Sequence, residues 1–242
     1  MQNLNRFSGW RRLALLCGLI ATVLGIALGA GPSRAADEEP AELRRLDPEQ
    51  PLWIDAVRKR VVLVGTVCLR EGQLEMLVCP AGTKEHESVL SVPVDTYKVH
   101  AALVAVGAEP GNPARFVPTY RAARGTQIDV WLFWTGEDGR RRRVRAQDWV
   151  RHAGTQKSLE HPWVFGGSGF WKDETTGKEH YQADSGDFIC VSNFPTAMLD
   201  LPIESSDKAG QLSFDAFTDR IPPLGTKVTI VLKPALPAPD EK

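Results

Sequence analysis

The sequence predicts a single α+β domain, β-rich, with one or two short helices. Three observations carry this. Most of the chain after residue 51 divides into short runs of Val, Ile, Leu, Trp and Phe, bounded by Gly, Pro, Asn and Asp, which is the pattern of strands and turns. One stretch, residues 97–106, has a clear helical period instead. The composition, 43% hydrophobic and 24% charged, is that of an ordinary globular chain long enough to bury a core.

The first 35 residues stand apart. Arg6, Arg11 and Arg12 precede an uncharged, apolar run of 18 residues, 13–30, and Ser33 and Ala35 then supply small residues before Ala36. Charge, apolar run and small-residue site in that order predict a secretory signal peptide. The other reading is an uncleaved anchor, since 18 residues is at the short end of a bilayer span. Both readings put the rest of the chain outside the cytoplasmic membrane, in the periplasm or cell envelope. Membrane contact is then confined to residues 13–30, if they are retained. The leader holds four of the 29 basic residues and no acid, so the remainder carries 25 bases against 30 acids, a net charge of −5. A mildly acidic domain is not built for nucleic acid.

Residues 36–51 are acidic and proline-containing, a linker or pre-strand arm. Residues 52–57 and 60–68 are predicted strands, rich in β-branched side chains. Arg70-Glu71-Gly72-Gln73 then turns the chain into 74–79, which closes a hairpin on 61–68. Residues 86–92 alternate weakly as a further strand. Asp95-Thr96 offers a helix cap, and Val99, Ala102, Leu103 and Val106 line one helical face ended by Gly107. Residues 127–135 and 140–146 form a hairpin about Gly136-Glu137-Asp138-Gly139, and 146–152 is the second short helix. Residues 181–184, 188–192 and 226–232 are short strands. The domain spans 52–233, and 234–242 is a proline-rich tail.

Cys17 falls in the leader, and three cysteines remain: Cys68, Cys79 and Cys190. An odd number leaves at least one free, metal-bound or intermolecular. In the predicted hairpin Cys68 faces Glu75 and Cys79 faces Val64, too far apart for a disulfide. Cys79 with Cys190 stays open. There is no CxxC or CxxCH, which argues against an iron–sulfur or c-haem site carried by this chain alone.

Cys79-Pro80-x-Gly82-Thr83-Lys84-Glu85-His86-Glu87-Ser88 resembles the opening motif of the YdjY-like domain family of bacteria. Val99-His100-Ala101-Ala102-Leu103, Gly107-Ala108-Glu109-Pro110-Gly111, Gly167-Ser168-x-Phe170-Trp171 and Gly186-Asp187-x-Ile189-Cys190-Val191-x-Asn193-Phe194 resemble its later blocks. The resemblance implies little chemistry. Some relatives are described as ferredoxin-like, but this chain lacks the cysteine quartet that a cluster needs.

The candidate binding or metal residues are Cys79, Glu85, His86, Glu87, His100 and Cys190, all competent ligands for a metal ion. On a strand Glu85 and Glu87 share one face and His86 takes the other. Ser168, Phe170, Trp171, Asp184 and Asp187 are candidate ligand-lining residues. Each has a plainer reading: a polar loop, a core histidine, packed aromatics or a turn. Gly166-Gly167-Ser168-Gly169-Phe170 fails the G-x-S-x-G spacing of a hydrolase nucleophile, and its glycines point to a turn or a close approach. The basic run Arg140–Arg143 with Arg145 reads as a solvated hairpin or a patch for an anionic envelope polymer. The sequence thus supports an exported accessory or binding domain of unknown ligand, with an envelope protein or a redox partner as candidate partners. The alternative is a metal-dependent or redox enzyme using a Cys/His/Glu site.

Overall fold

The computed structural model describes residues 43–205 and 213–237. Residues 1–35, with the expected signal peptide or anchor, lie outside the described residues. Within them no helix is long and apolar enough to cross a membrane.

The chain begins with β1 (Arg44–Arg45), β2 (Leu52–Asp55), β3 (Arg60–Val67), β4 (Met76–Pro80) and β5 (Ser88–Val92). Helix α1 (Thr96–Ala105) follows, then β6 (Pro110–Asn112), β7 (Arg124–Gly125), β8 (Gln127–Thr135), β9 (Arg141–Arg145) and β10 (Val150–His152). The last part holds β11 (Trp163–Phe165), β12 (Phe170–Lys172), β13 (Glu179–Tyr181), β14 (Ile189–Cys190), β15 (Leu199–Asp200), β16 (Phe214–Ala216) and β17 (Lys227–Pro234).

Eight of these strands close into a barrel in the order β3-β17-β8-β11-β15-β14-β4-β5 and back to β3. The expectation of a β-rich domain is met, and the barrel makes it more specific. Alternation along the strands sets its inside. Ile128, Val130, Leu132 and Trp134 of β8 are buried while Asp129, Trp131 and Phe133 are half-exposed. On β17, Val228, Ile230 and Leu232 are buried and pair with Gly65, Leu63 and Val61 of β3. Trp149, Trp163, Phe165, Phe188 and Phe214 are fully buried in the same apolar cluster. Each large apolar side chain so buried contributes roughly 1.5–3 kcal/mol.

Closure depends on how β3 divides its free edge. Residues 60–63 pair with β2, and only Thr66 and Val67 are left to pair with β5. Gly65 stands where these two partners meet. A Cβ there would lie 2.8 Å from the Ser91 carbonyl oxygen and 2.9 Å from Val92 Cγ1. Glycine is what allows β5 to reach β3. On the other side of the barrel β8 divides its edge in the same way, between β9 and β11.

The predicted hairpin of 61–68 with 74–79 does not form. Strand β5 lies between β3 and β4, and β14 covers the other edge of β4. All five residues of β4 are buried, so this strand takes partners on both edges, where a hairpin gives it one. The turn residues instead lead across to β16: Leu74 N–H donates to Phe214 O and Ala216 N–H to Gly72 O, both at 2.9 Å. Two other elements differ. Glu85–Glu87 is a 3₁₀ turn ahead of β5, so strand alternation does not set its side chains. The predicted second helix is a 3₁₀ turn, Ala146–Trp149, running into β10, so α1 is the one α-helix among the described residues.

In α1, Val99, Ala102 and Leu103 are buried, as is Val106 just beyond it. Asp95 occupies the N-cap position but makes no side-chain cap bond. Its carboxylate engages Gln50 and Lys98 instead, and Asp184 accepts the Thr96 N–H at 2.7 Å. At the other end Gly107 N–H donates to Val104 O and Ala108 N–H to Leu103 O. These are the two bonds of a glycine helix stop.

Adding a methyl at the closure point forces the backbone of β5 away from β3. Gly65→Ala is expected to destabilise the domain by about 1–3 kcal/mol, read as a lower denaturant midpoint. An unchanged midpoint would show that the seam is not tightly packed.

Candidate functional site

The singled-out residues fall into separate places. Among the described residues no three His, Cys, Asp or Glu side chains converge as a metal-binding group. His86 is largely exposed, its Nε2 3.9 Å from Glu87 Oε2. Glu85 accepts the Gly82 N–H and so folds its own loop.

Part of the set does come together, around a lysine that carried no role in the sequence analysis. Lys84 Nζ lies 3.2 Å from Glu75 Oε2, 3.5 Å from Glu87 Oε1 and 3.3 Å from Asp187 Oδ1. It also stands 4.4 Å above the Phe194 ring. This unites the opening motif with the block beginning at Gly186. One ammonium faces three carboxylates, and burial, aided by Glu87, raises the Glu75 pKa. The Lys84 pKa is raised by these acids against the effect of burial. Asp187 is further held by the Thr196 hydroxyl.

Cys79 is buried on β4, and Cys68, half-buried just after β3, has its Sγ 3.0 Å from Ser88 O. The hairpin from which their separation was expected does not form, but β5 runs between them and both remain free thiols. Cys190 is fully buried on β14, where burial raises its pKa, and its carbonyl accepts the Trp163 indole N–H at 2.8 Å.

His100 belongs elsewhere. Its Nδ1 is 2.8 Å from the Tyr181 hydroxyl, which donates to Gly167 O at 2.8 Å. That hydroxyl has spent its proton, so Nδ1 carries the hydrogen of a neutral imidazole. Burial lowers the His100 pKa, consistent with the neutral form. The neighbouring glycines admit chain rather than ligand: a Cβ on Gly167 would lie 2.8 Å from Pro110 Cβ. Ser168 donates to Thr196 O at 2.6 Å. Phe170 and Trp171 are 63% and 49% exposed, on the β12–β13 hairpin, where Trp171 stacks on His180. Asp184 and Asp187 face different partners, α1 and Lys84.

A further group of residues was missed in the sequence. A cleft of about 360 Å³ is lined by Asn112, Pro113, Arg115, Tyr120, Arg121 and Arg124. Arg115 and Arg121 form an isolated antiparallel bridge, each N–H donating to the other's carbonyl, at 2.9 and 2.8 Å. Directly opposed residues on such a bridge have side chains on one face, and like charges there repel. Among the described residues no ion pair engages Arg115, Arg121 or Arg124. A signal for this was present, because residues 111–127 hold three arginines and no acid.

From Tyr120 a chain of hydrogen bonds leads away from the cleft into the interior. Tyr120 donates to Asn193 Oδ1 at 3.0 Å, and Asn193 Nδ2 donates to Asp200 Oδ1 at 2.9 Å. Asp200 Oδ1 also accepts the Leu201 N–H at 2.7 Å, but its Oδ2 is buried with no partner. Burial raises the Asp200 pKa to about 7, and burial with the charges of Asp200 and Glu204 raises Tyr120 to about 12.

A family model described as YdjY domain matches residues 52–233. No curated protein and no solved structure matches the chain.

Asp200 gives a pH test of this buried chain. Its folded pKa of about 7 lies above the ordinary aspartate value of 3.8, so between these values the folded state binds the extra proton. Stability from this group is present below pH 4 and is lost as pH rises to 7, by on the order of 4 kcal/mol. Asp200→Asn is expected to flatten the stability profile between pH 5 and 8. An unchanged slope in denaturation experiments would contradict this.

Proposed function

The chain belongs to the YdjY domain family, and from that premise we propose that it is an exported binding domain for a small multivalent anion. The observation that carries this reading is the bridge between Arg115 and Arg121, with Arg124 beside it and no acid paired to any of the three among the described residues. A carboxylate or phosphate between the guanidiniums would replace repulsion with charge-assisted hydrogen bonds. The cleft has the size of a small-molecule site. Tyr120, fixed by Asn193, adds a polar wall.

Export is supported by the order of charge, apolar run and small residues in the first 35 positions. In this reading the domain works in the periplasm or cell envelope, as an accessory to another envelope component.

Calorimetric titration of the full chain with pyrophosphate and with citrate at low salt tests the cleft. Binding is expected for at least one of them, weakening as salt is added. Arg121→Ala is expected to weaken it about tenfold, a loss of roughly 1.4 kcal/mol, while Arg143→Ala on β9 leaves it unchanged. No binding of either anion, or equal binding by Arg121→Ala, would overturn the assignment. For export, the chain produced in a bacterial host is expected in the envelope fraction, beginning near Ala36 or retaining its leader. Recovery of intact chain from the cytosol alone would refute it.

A further inference from the structure

We propose that the outward edge of β9 docks an extended acidic peptide, with Asp or Glu at alternate positions, which adds to the sheet as a further strand. The site is separate from the arginine cleft. β9 lies outside the eight strands of the barrel. Among the described residues it pairs with β8 alone, from Trp131 opposite Arg145 to Thr135 opposite Arg141. The barrel continues from the other end of β8 through β11, so closure leaves β9 with one edge unpaired. An edge strand turns alternate N–H and C=O groups away from its sheet, where a second extended chain can bond to them.

The side chains of β9 select what can pair there. Alternation puts Arg141, Arg143 and Arg145 on one face, all three exposed and about 7 Å apart along the strand. They stand opposite Thr135, Phe133 and Trp131 of β8. The Arg143 guanidinium lies 4.1 Å from the centre of the half-exposed Trp131 ring and 6.0 Å from that of Phe133. Stacking on these rings holds it on the outer face. The other face of β9 differs. Val144 packs half-buried against the core. Among the described residues Arg142 alone of this strand has an acid partner, Asp138 at 3.3 Å.

An added strand has the same repeat as β9. Acids at alternate positions therefore set one carboxylate against each of the three outward arginines. An apolar residue between two of the acids falls beside Val144 and extends the apolar face of the sheet. The same charges reject a second copy of this chain, because β9 paired to β9 opposes arginine to arginine. A small anion such as pyrophosphate meets one or two of these guanidiniums and gains none of the backbone bonds. It therefore distinguishes the cleft from this edge.

Two capped heptapeptides of equal composition and charge test this, TEVEVET with alternating acids and TEEEVVT with the acids grouped. Each is titrated into the full chain while the backbone amide signals of Arg141–Arg145 and their hydrogen exchange are followed by NMR. The alternating peptide is expected to shift these signals to saturation and to slow exchange at the β9 amides that are not bonded to β8. The grouped peptide is expected to bind about tenfold more weakly, and Arg143→Glu to weaken the alternating peptide by about the same factor. Arg121→Ala, in the cleft, is expected to leave it unchanged. Equal binding of the two peptides, binding without protection of β9, or loss of binding in Arg121→Ala would each overturn the proposal. So would no binding of either peptide, or saturation by polygalacturonate, a polymer of acidic sugars, where neither peptide binds. The comparison of the two peptides on the wild-type chain decides the question if a variant fails to fold.

Discussion

The fold depends on a short contact: the meeting of Thr66 and Val67 on β3 with Leu90 and Ser91 on β5. Without it the strands are an open sheet running from β1 to β5, with the edge of β5 and the end of β3 beyond β2 exposed. With it they are a barrel whose inner face is filled by Leu63, Val130, Leu132, Ile230 and their neighbours. An open edge is a liability that closure removes. The contact exists because Gly65 has no side chain to hold the strands apart, and because β2 stops pairing at Leu63 and leaves the rest of the edge to β5.

The seam also organises the polar chemistry around it. Placing β5 between β3 and β4 leaves Cys68 and Cys79 on opposite sides of that strand. It also anchors the loop from Pro80 to Glu87, which swings Lys84 toward Glu75, Glu87 and Asp187. The arginine cleft stands apart from this, on the loop between β6 and β7. Its connection to the barrel runs through Asn193 to Asp200 on β15, so a buried carboxyl underlies an exposed basic surface.

Local patterns were legible in the sequence where one strand or helix decides its own form. The alternation of residues 127–135 specified β8, and the spacing of Val99, Ala102, Leu103 and Val106 specified α1 with its glycine stop. What escaped depended on partners distant in sequence. Arg70-Glu71-Gly72-Gln73 has the composition of a hairpin turn, yet it carries the chain to β16, and no local signal distinguishes the two. The expected partners of Cys68 and Cys79 rested on that one pairing, and β5 takes that place instead. For the site, the motif blocks pointed to Cys79, Glu87 and Asp187 but not to Lys84, the residue that joins them. The arginines between 111 and 127 were readable as an acid-free basic stretch, but only the Arg115–Arg121 bridge shows two of them opposed.

Side-chain NMR is the most direct test that Arg115, Arg121 and Arg124 form one anion site. The Nε–Hε signals of Arg115, Arg121 and Arg124 are followed as pyrophosphate is added to the full chain. The predicted result is a saturable shift of these three signals with a common affinity, while those of Arg141, Arg142 and Arg143 on β9 stay in place. Shifts spread over all the arginines without saturation, or confined to β9, would contradict it.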